Sequence, residues 1–384
     1  MKTILFFVMA TCALLFFLVR LRRRPSTNLM SVEVIVPAFN EEPVIEQSLI
    51  NLLRNPYVKR VICVNDGSTD RTAEIVANLA KRTPRLLLVT QENSGKGAAI
   101  MAGLDHVTCD QVFLTDADTY VPFGERGLRR GNSLGYMLAE IEAGADAVGG
   151  IPSSDLRAGG LLAYVRASVK LPMIMVKRTF QQILGGAPFI ISGSCGMFRT
   201  EVLRDVGITD RTNVEDLDLT WTLVAHGYKI RQVNRAVVYP QECNTLREEW
   251  RRWRRWIMGY AVCMRLHRKL LLSRYGLFSI LPMFLVVVLG VAIYAISWSH
   301  AVLAGVSHTL PSLMFPLLWM VVVMALGGVS AIHHNKFRLV FTAPLALLYV
   351  LLAYAVWLIH GFASLLTGHE YGRDKPTRYV RVVA

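Results

Sequence analysis

Three long apolar stretches after Gly276, near 276–298, 310–332 and 339–366, constrain this chain more than any other feature. Each exceeds the roughly 20 residues that a helix needs to cross about 30 Å of hydrocarbon. Pro282, Pro311, Pro316 and Pro344 can kink such helices without excluding them, because neighbouring groups satisfy the freed carbonyls. A fourth apolar run, Thr3 to Val19, ends in Arg20-Leu21-Arg22-Arg23-Arg24. The basic cluster follows the run, where a signal peptide would place it before, and no small-residue cleavage site is evident, so residues 1–24 read as an anchor. By the positive-inside rule the segment after the cluster is cytoplasmic. One crossing before it and three after it would put the tail outside, yet Arg373, Lys375, Arg378 and Arg381 favour inside. A part of 339–366 that lies along the interface or re-enters would reconcile the two.

A hydrophobic fraction of 53% with positive mean hydropathy across 384 residues fits one ordinary domain plus a membrane region, and fits a purely soluble chain poorly. The formal charge of +14 is compatible with nucleic acid, acidic headgroups or a phosphorylated substrate. Its bias toward arginine suits diphosphates, because a guanidinium fork binds two oxygens at once. The six cysteines are scattered, with no CxxC pair and no zinc spacing, which points to reduced thiols in a cytoplasmic domain.

From Val32 to about Tyr239, short β-rich runs alternate with amphipathic stretches. Strands are expected at 32–36, 60–65, 85–90 and 111–115, and helices near 42–54, 70–82 and 96–106. Alternation of this kind predicts a parallel sheet covered by helices on both faces. Ligands in such folds sit at the carboxyl ends of the strands, and the polar motifs fall there. The first strand ends in Pro37-Ala38-Phe39-Asn40-Glu41 and the second in Asn65-Asp66-Gly67-Ser68-Thr69-Asp70. The latter is equally a turn with a helix N-cap. The fourth runs into Asp116-Ala117-Asp118. Two acids so close repel unless a cation or a donor-rich ligand neutralises them, and Mg²⁺ needs only one or two protein carboxylates when substrate oxygens complete its shell. Val214-Glu215-Asp216 opens a further helix, where acidic residues are ordinary.

The segment 246–268 holds Trp250-Arg251-Arg252-Trp253-Arg254-Arg255-Trp256. Trp250, Trp253, Ile257, Tyr260 and Met264 recur at spacings of 3, 4, 3 and 4, which predicts one aromatic and apolar stripe facing lipid or membrane helices. Such a helix is suited to a membrane interface, with acidic lipids near its basic residues. Trp256, with Arg252, Gly259 and Cys263, is expected on nearly the opposite side, toward the catalytic pocket. Glu249, Arg252 and Trp253 offer an overlapping version of the same pattern. The flanking apolar spans disfavour a nucleic-acid patch.

Together these residues resemble the membrane-integrated processive synthases of glycosyltransferase family 2, which make cellulose, chitin, hyaluronan or poly-N-acetylglucosamine. The shared pattern is an Asp after the second strand, a D-x-D, an E-D pair and Q-x-x-R-W on an interface helix, here Asp66, Asp116 with Asp118, Glu215 with Asp216, and Arg252 with Arg255 and Trp256. It extends over nearly the whole chain from Val32. Arg252 replaces the family's Gln, and Val214 replaces a frequent Thr. The spacing around Asp216 and the C-terminal spans look most like the poly-N-acetylglucosamine synthases.

The resemblance implies a GT-A, Rossmann-like domain over 25–243, an interface helix over 244–272 and a membrane region over 273–384, in a multi-pass protein of the inner or plasma membrane. It implies that Asp66 contacts uracil, that Pro37, Glu41 and Lys96 frame the nucleotide, and that Asp116 lies by the donor sugar and diphosphate. Asp118 would hold Mg²⁺ or Mn²⁺, and Asp216, beside Glu215, would be the general base of an inverting transfer from a UDP-sugar to a β-linked polymer. Arg255 would lie near the diphosphate, and Ile191-Ser192-Gly193-Ser194 resembles the acceptor-terminus loop. Because four spans are few to enclose a polymer path, a second membrane subunit or self-association is expected. The alternatives are a non-processive transferase acting on a lipid acceptor and an inactive membrane scaffold.

Overall fold

The computed structural model describes residues 24–124, 132–157, 159–285, 288, 309–372 and 377–379. The apolar run 3–19 and most of 286–308 lie outside them. The first half of the chain alternates as expected: β1 (Val32–Ala38), α1 (Ile45–Leu53), β2 (Val58–Asp66), α2 (Thr72–Ala80), β3 (Leu86–Gln91), α3 (Lys96–Leu104) and β4 (Gln111–Leu114). Val34, Ile35, Val36, Ile62, Cys63 and Val64 are all fully buried. A strand covered on both faces reads as a continuous apolar run, and these do. Ile35, Ile62 and Val64 pack with Ile100 and Leu104 of α3, while Val34, Val36 and Cys63 pack with Ile45 and Leu49 of α1. Each such aliphatic side chain contributes about 2 kcal/mol by leaving water.

The expected all-parallel sheet is in fact mixed. The remaining elements are β5 (Thr119–Tyr120), α4 (Ser133–Glu142), β6 (Ala147–Pro152), α5 (Leu161–Gly185), β7 (Gly196–Arg199), α6 (Thr200–Val206), α7 (Glu215–Ala225) and β8 (Ile230–Pro240). The sheet order is β3-β2-β1-β4-β7-β6-β8-β5, and β7 runs antiparallel to both β4 and β6. Because β7 is reversed, Gly196 pairs with Leu114, and the residues entering β7 lie at the edge where β1, β2 and β4 end.

The segment after β8 forms the single helix foreseen, α8 (Leu246–Leu266), whose N-cap Thr245 accepts from the Glu248 N–H. Gly259 lets it close on Val214: a methyl there would collide with the valine side chain. Trp221 of α7, fully buried, donates its indole N–H to Phe189 O at 3.1 Å and meets the Tyr260 and His267 rings edge-on at 5.9 and 5.7 Å. Tyr260 also meets Trp357 edge-on at 5.6 Å, and Ile257 lies against Gly361, so the stripe faces apolar helices as well as the domain core.

Beyond α8 come α9 (Gly276–Leu285), α10 (Thr309–His334) and a broken helix α11 (Arg338–Thr367). Among the described residues, α11 is the one helix long and apolar enough to cross a membrane. Its first turn packs Leu339 against Leu156, Ala163 and Ala167, and near its end Ser364 donates to Met258 O. α11 therefore begins against the α/β domain and ends against α8, and residues 369–372 and 377–379 return to the α/β domain and to α8.

Asp218 joins α7 to the end of α8. Its carboxylate accepts from Arg211 Nε at 2.8 Å, pairs with His267 Nε2 at 2.6 Å, and accepts from the Thr209 hydroxyl at 2.9 Å. Burial raises its pKa, but these partners outweigh it and hold the group at about 2, below its ordinary 3.8. A depressed carboxyl stabilises the fold above its unfolded pKa and loses that contribution as pH falls through the folded value. Asp218→Asn should thus cost about 2 kcal/mol at neutral pH. In denaturation curves of detergent-solubilised protein, the gap to wild type should hold down to about pH 4 and close toward pH 2.

Candidate active site

The carboxyl ends of β1, β2 and β4, the start of α3 and the start of α7 converge at one edge of the sheet. Asp66 ends β2, buried, and its carboxylate accepts from Gln91 Nε2 at 2.8 Å, Ser94 N–H at 2.9 Å and Gly95 N–H at 3.1 Å. It thereby sets the loop that aims Lys96 inward. Asp210, unremarked in the sequence, completes this element by accepting from the Gly97 and Ala98 N–H groups at the first turn of α3.

Lys96 Nζ lies 2.6 Å from Asp116 Oδ1 and 3.1 Å from Glu215 Oε1. The reversed β7 brings the 192–194 loop to the same place: Thr115 donates its hydroxyl to Ser194 O at 3.0 Å, and the Gly193 N–H donates to Asp216 Oδ2 at 2.9 Å. A methyl at 193 would sit 2.8 Å from Lys96 Nζ, at the far end of that flexible side chain, and 3.5 Å from Asp216, so loop, lysine and Asp216 lie in close contact. Lys96, Asp116, Gly193, Glu215 and Asp216 are thus one constellation. Asp116 is held below the ordinary carboxylate range: its burial is overcome first by the Lys96 charge and hydrogen bond. Asp216 is pushed up, by burial first and then by Glu215, with Lys96 acting in the other direction. Two neighbouring acids thus have opposite tendencies, one held ionised and one made more basic.

Asp118 and Glu41 share a different cation. Arg378, from the tail, places Nη1 2.5 Å from Asp118 Oδ2 and grips Glu41 with Nε at 2.9 Å and Nη2 at 3.1 Å. Pro37 lies in β1 three residues before Asn40, whose side chain accepts from the Thr69 N–H at 2.7 Å and ties the first two polar strand endings together. Ser192 accepts from Arg178 Nη2 at 2.8 Å, and that buried arginine also donates to Gly150 O.

The α8 residues are placed differently from expectation. Trp253 and Trp256 are not on opposite sides, since their rings meet edge-on at 5.8 Å. Residues three apart on a helix are separated by only about 60° and are neighbours. Arg252 is engaged with Glu242, at 2.8 Å, and with Glu249, not with the Asp116 constellation. Those acids also bind Arg166 of α5, at 3.2 and 2.7 Å, and Glu242 binds Lys170 at 2.5 Å. The guanidinium carbons of Arg166 and Arg252 lie 5.0 and 5.4 Å from the Trp256 ring centre. Arg255 lines a cleft with Asn213, Met258, Glu370 and Tyr371, beside the loop leading into Glu215.

Sequence reasoning missed Arg378, Arg166 and Glu242. Only the tail's basic residues carried a signal, and it concerned topology. Among the described residues, no group of three or more His, Cys, Asp or Glu side chains forms a metal cage.

A mixed sheet with acidic strand endings gathered at one edge, in front of a helix that opens on Glu-Asp, defines a GT-A glycosyltransferase. The fold matches a mannosyltransferase from Pyrobaculum calidifontis solved with GDP-Man and Mn²⁺, with TM-score 0.53 and 20% identity over 89% of this chain and 96% of that one. The sequence is 60% identical, across its whole length and 95% of the relative's, to the protein described as uncharacterized glycosyltransferase YaiP of Escherichia coli K12. It is also 30% identical to the poly-beta-1,6-N-acetyl-D-glucosamine synthase of Staphylococcus aureus, over 62% of this chain and 57% of that one. Residues 33–207 match glycosyl transferase family 2, and the chain belongs to that family.

Removing one partner from a buried charge network leaves the others unpaired, which costs about 3 kcal/mol or more. Glu242→Gln, which leaves Arg166, Lys170 and Arg252 sharing one acid, should lower stability by about that amount in denaturant titrations. It should also reduce the quenching of Trp256 fluorescence, read in a background where the other tryptophans are phenylalanine.

Proposed function

We propose that this chain is a membrane-embedded, inverting, processive glycosyltransferase that adds sugar from a UDP-sugar, UDP-N-acetylglucosamine foremost, to a β-linked polysaccharide. The observation that carries this reading is the meeting of Asp116, Lys96, Gly193 and Asp216 at one sheet edge, next to the helix bearing Trp256. The kinship with a poly-N-acetylglucosamine synthase supports the choice of sugar.

In this reading Asp66 and the loop it holds frame the uracil, with Pro37, Glu41 and Lys96 around the nucleotide. Asp116 and Asp118 are hard oxygen donors at a strand end, and two carboxylates suffice for Mg²⁺ or Mn²⁺ only if the donor's diphosphate supplies further oxygens. Such an ion would offset charge on the departing diphosphate. Asp216 takes the proton of the acceptor hydroxyl. As that oxygen bonds to the anomeric carbon, the bond to the phosphate oxygen breaks on the opposite face, and UDP leaves with the electron pair. Attack opposite the leaving group inverts the centre, so an α-linked donor gives a β linkage. Burial and Glu215 raise the basicity of Asp216, and the Gly193 N–H fixes its orientation. Ser192, Gly193 and Ser194 form the floor under the acceptor end, and Trp256 flanks its path. A second membrane subunit or another copy would complete the polymer channel, with the catalytic face in the cytoplasm.

Detergent-solubilised protein incubated with radiolabelled UDP-sugars and Mn²⁺ should make long polymer from UDP-N-acetylglucosamine. A product of one sugar on lipid would replace this reading with single transfer, and no turnover of any UDP-sugar would refute it. Asp216→Asn should lower turnover about 10²-fold or more with donor affinity near normal, whereas Asp118→Asn should lose metal-dependent donor binding. Activity should fall on acidification as Asp216 takes up a proton. In Lys96→Met that loss should begin at higher pH, because the cation that favours the carboxylate is gone.

A further inference from the structure

We propose that Arg378 is an exchangeable cation of the donor site, neutralising Asp118 and Glu41 when donor and metal are away and binding the donor's diphosphate when both arrive. This rests on the donor-site reading of Asp118 given above.

The geometry is specific. Arg378 comes from the far end of the chain, 337 residues from Glu41, yet it places two nitrogens on that carboxylate and a third on Asp118. Its side chain is 16% exposed, and the acids it binds are 7% and 6% exposed. The backbone on either side of it is tied down independently. Thr377 N–H donates to Glu248 Oε1 at 3.0 Å, and Tyr379 exchanges two hydrogen bonds with the Gln241 side-chain amide, at 2.6 and 3.2 Å. Farther back, Glu370 accepts from the Thr212 hydroxyl at 2.5 Å and the Asn213 N–H at 2.7 Å, just before Glu215-Asp216. The tail is thus moored to α8, to the segment leading into it and to the loop before Asp216.

Charge decides what this arrangement does. Two mostly buried carboxylates without a counterion would be costly, and Arg378 supplies one. A divalent ion on Asp118 with Arg378 in place would set three positive charges against the two carboxylates Asp118 and Glu41, so Arg378 opposes a metal ion that arrives alone. A nucleoside diphosphate reverses the balance, because its oxygens match the guanidinium fork and compensate the metal's charge. Arg378 therefore disfavours metal alone and favours metal with nucleotide, so its removal should affect the two equilibria in opposite directions.

The test uses the full-length protein in detergent, with Mn²⁺ followed by electron paramagnetic resonance and UDP by calorimetry at saturating Mn²⁺. Arg378→Gln should bind Mn²⁺ alone about tenfold more tightly than wild type and UDP with Mn²⁺ about tenfold more weakly. Arg378→Lys, which keeps the charge but not the fork, should match wild type toward Mn²⁺ alone and fall short of it toward UDP. If both affinities in Arg378→Gln move in the same direction, or neither moves, the exchange role is overturned while the donor site stands. Failure of wild type to bind UDP with Mn²⁺ would overturn both.

Discussion

Mutual repulsion among carboxylates is the constraint around which the rest of this protein is arranged. Glu41, Asp66, Asp116, Asp118, Glu215 and Asp216 belong to one edge of the sheet, and none could remain there ionised without compensation. Three kinds of compensation are used. Asp66 accepts three hydrogen bonds, one from Gln91 at the end of β3 and two from the loop after it. Lys96 is shared by Asp116 and Glu215, and Arg378 is shared by Glu41 and Asp118. Asp216 accepts from the neutral backbone N–H groups of Gly193 and Leu217, and burial followed by Glu215 pushes its pKa up. A carboxylate meant to take a proton needs that imbalance.

The same logic recurs one layer away, where α5 meets α8. Glu242 and Glu249 are buried with Arg166, Lys170 and Arg252 around them. This network sets two guanidiniums over the Trp256 ring, so this tryptophan of α8 is fixed from the domain side. A buried network of this kind is weak evidence for stability, yet it restricts how α5 and α8 can meet, since misregister would strand a charge. α5 also contacts α10 and α11, and it therefore links the site to the apolar helices.

Those apolar helices return the chain to the domain. α11 begins against α5 and ends against α8, after which the tail crosses the site that β1 and β4 open. The residues that bound the candidate site thus come from both ends of the described chain. Glu41 and Arg378 are joined by geometry that neither segment encodes alone.

The sequence by itself determined the local elements and their chemistry. Continuous apolar runs predict doubly covered strands, and β1 to β4 appear within a few residues of their expected bounds. The acids at strand ends follow from the same alternation, as does the single α8 helix, whose cap and periodicity are local properties. The direction of β7 was not legible, because a four-residue strand carries no mark of being parallel or antiparallel, yet that reversal brings Gly193 to Asp216. The partners of Arg252 were not legible either: an arginine suits a diphosphate and a carboxylate equally, and only the packing of α5 against α8 places Glu242 and Glu249 within reach. The tail shows the same division. Its basic character was legible, but the cation it supplies to Asp118 depends on contacts across hundreds of residues, which periodicity and spacing do not record.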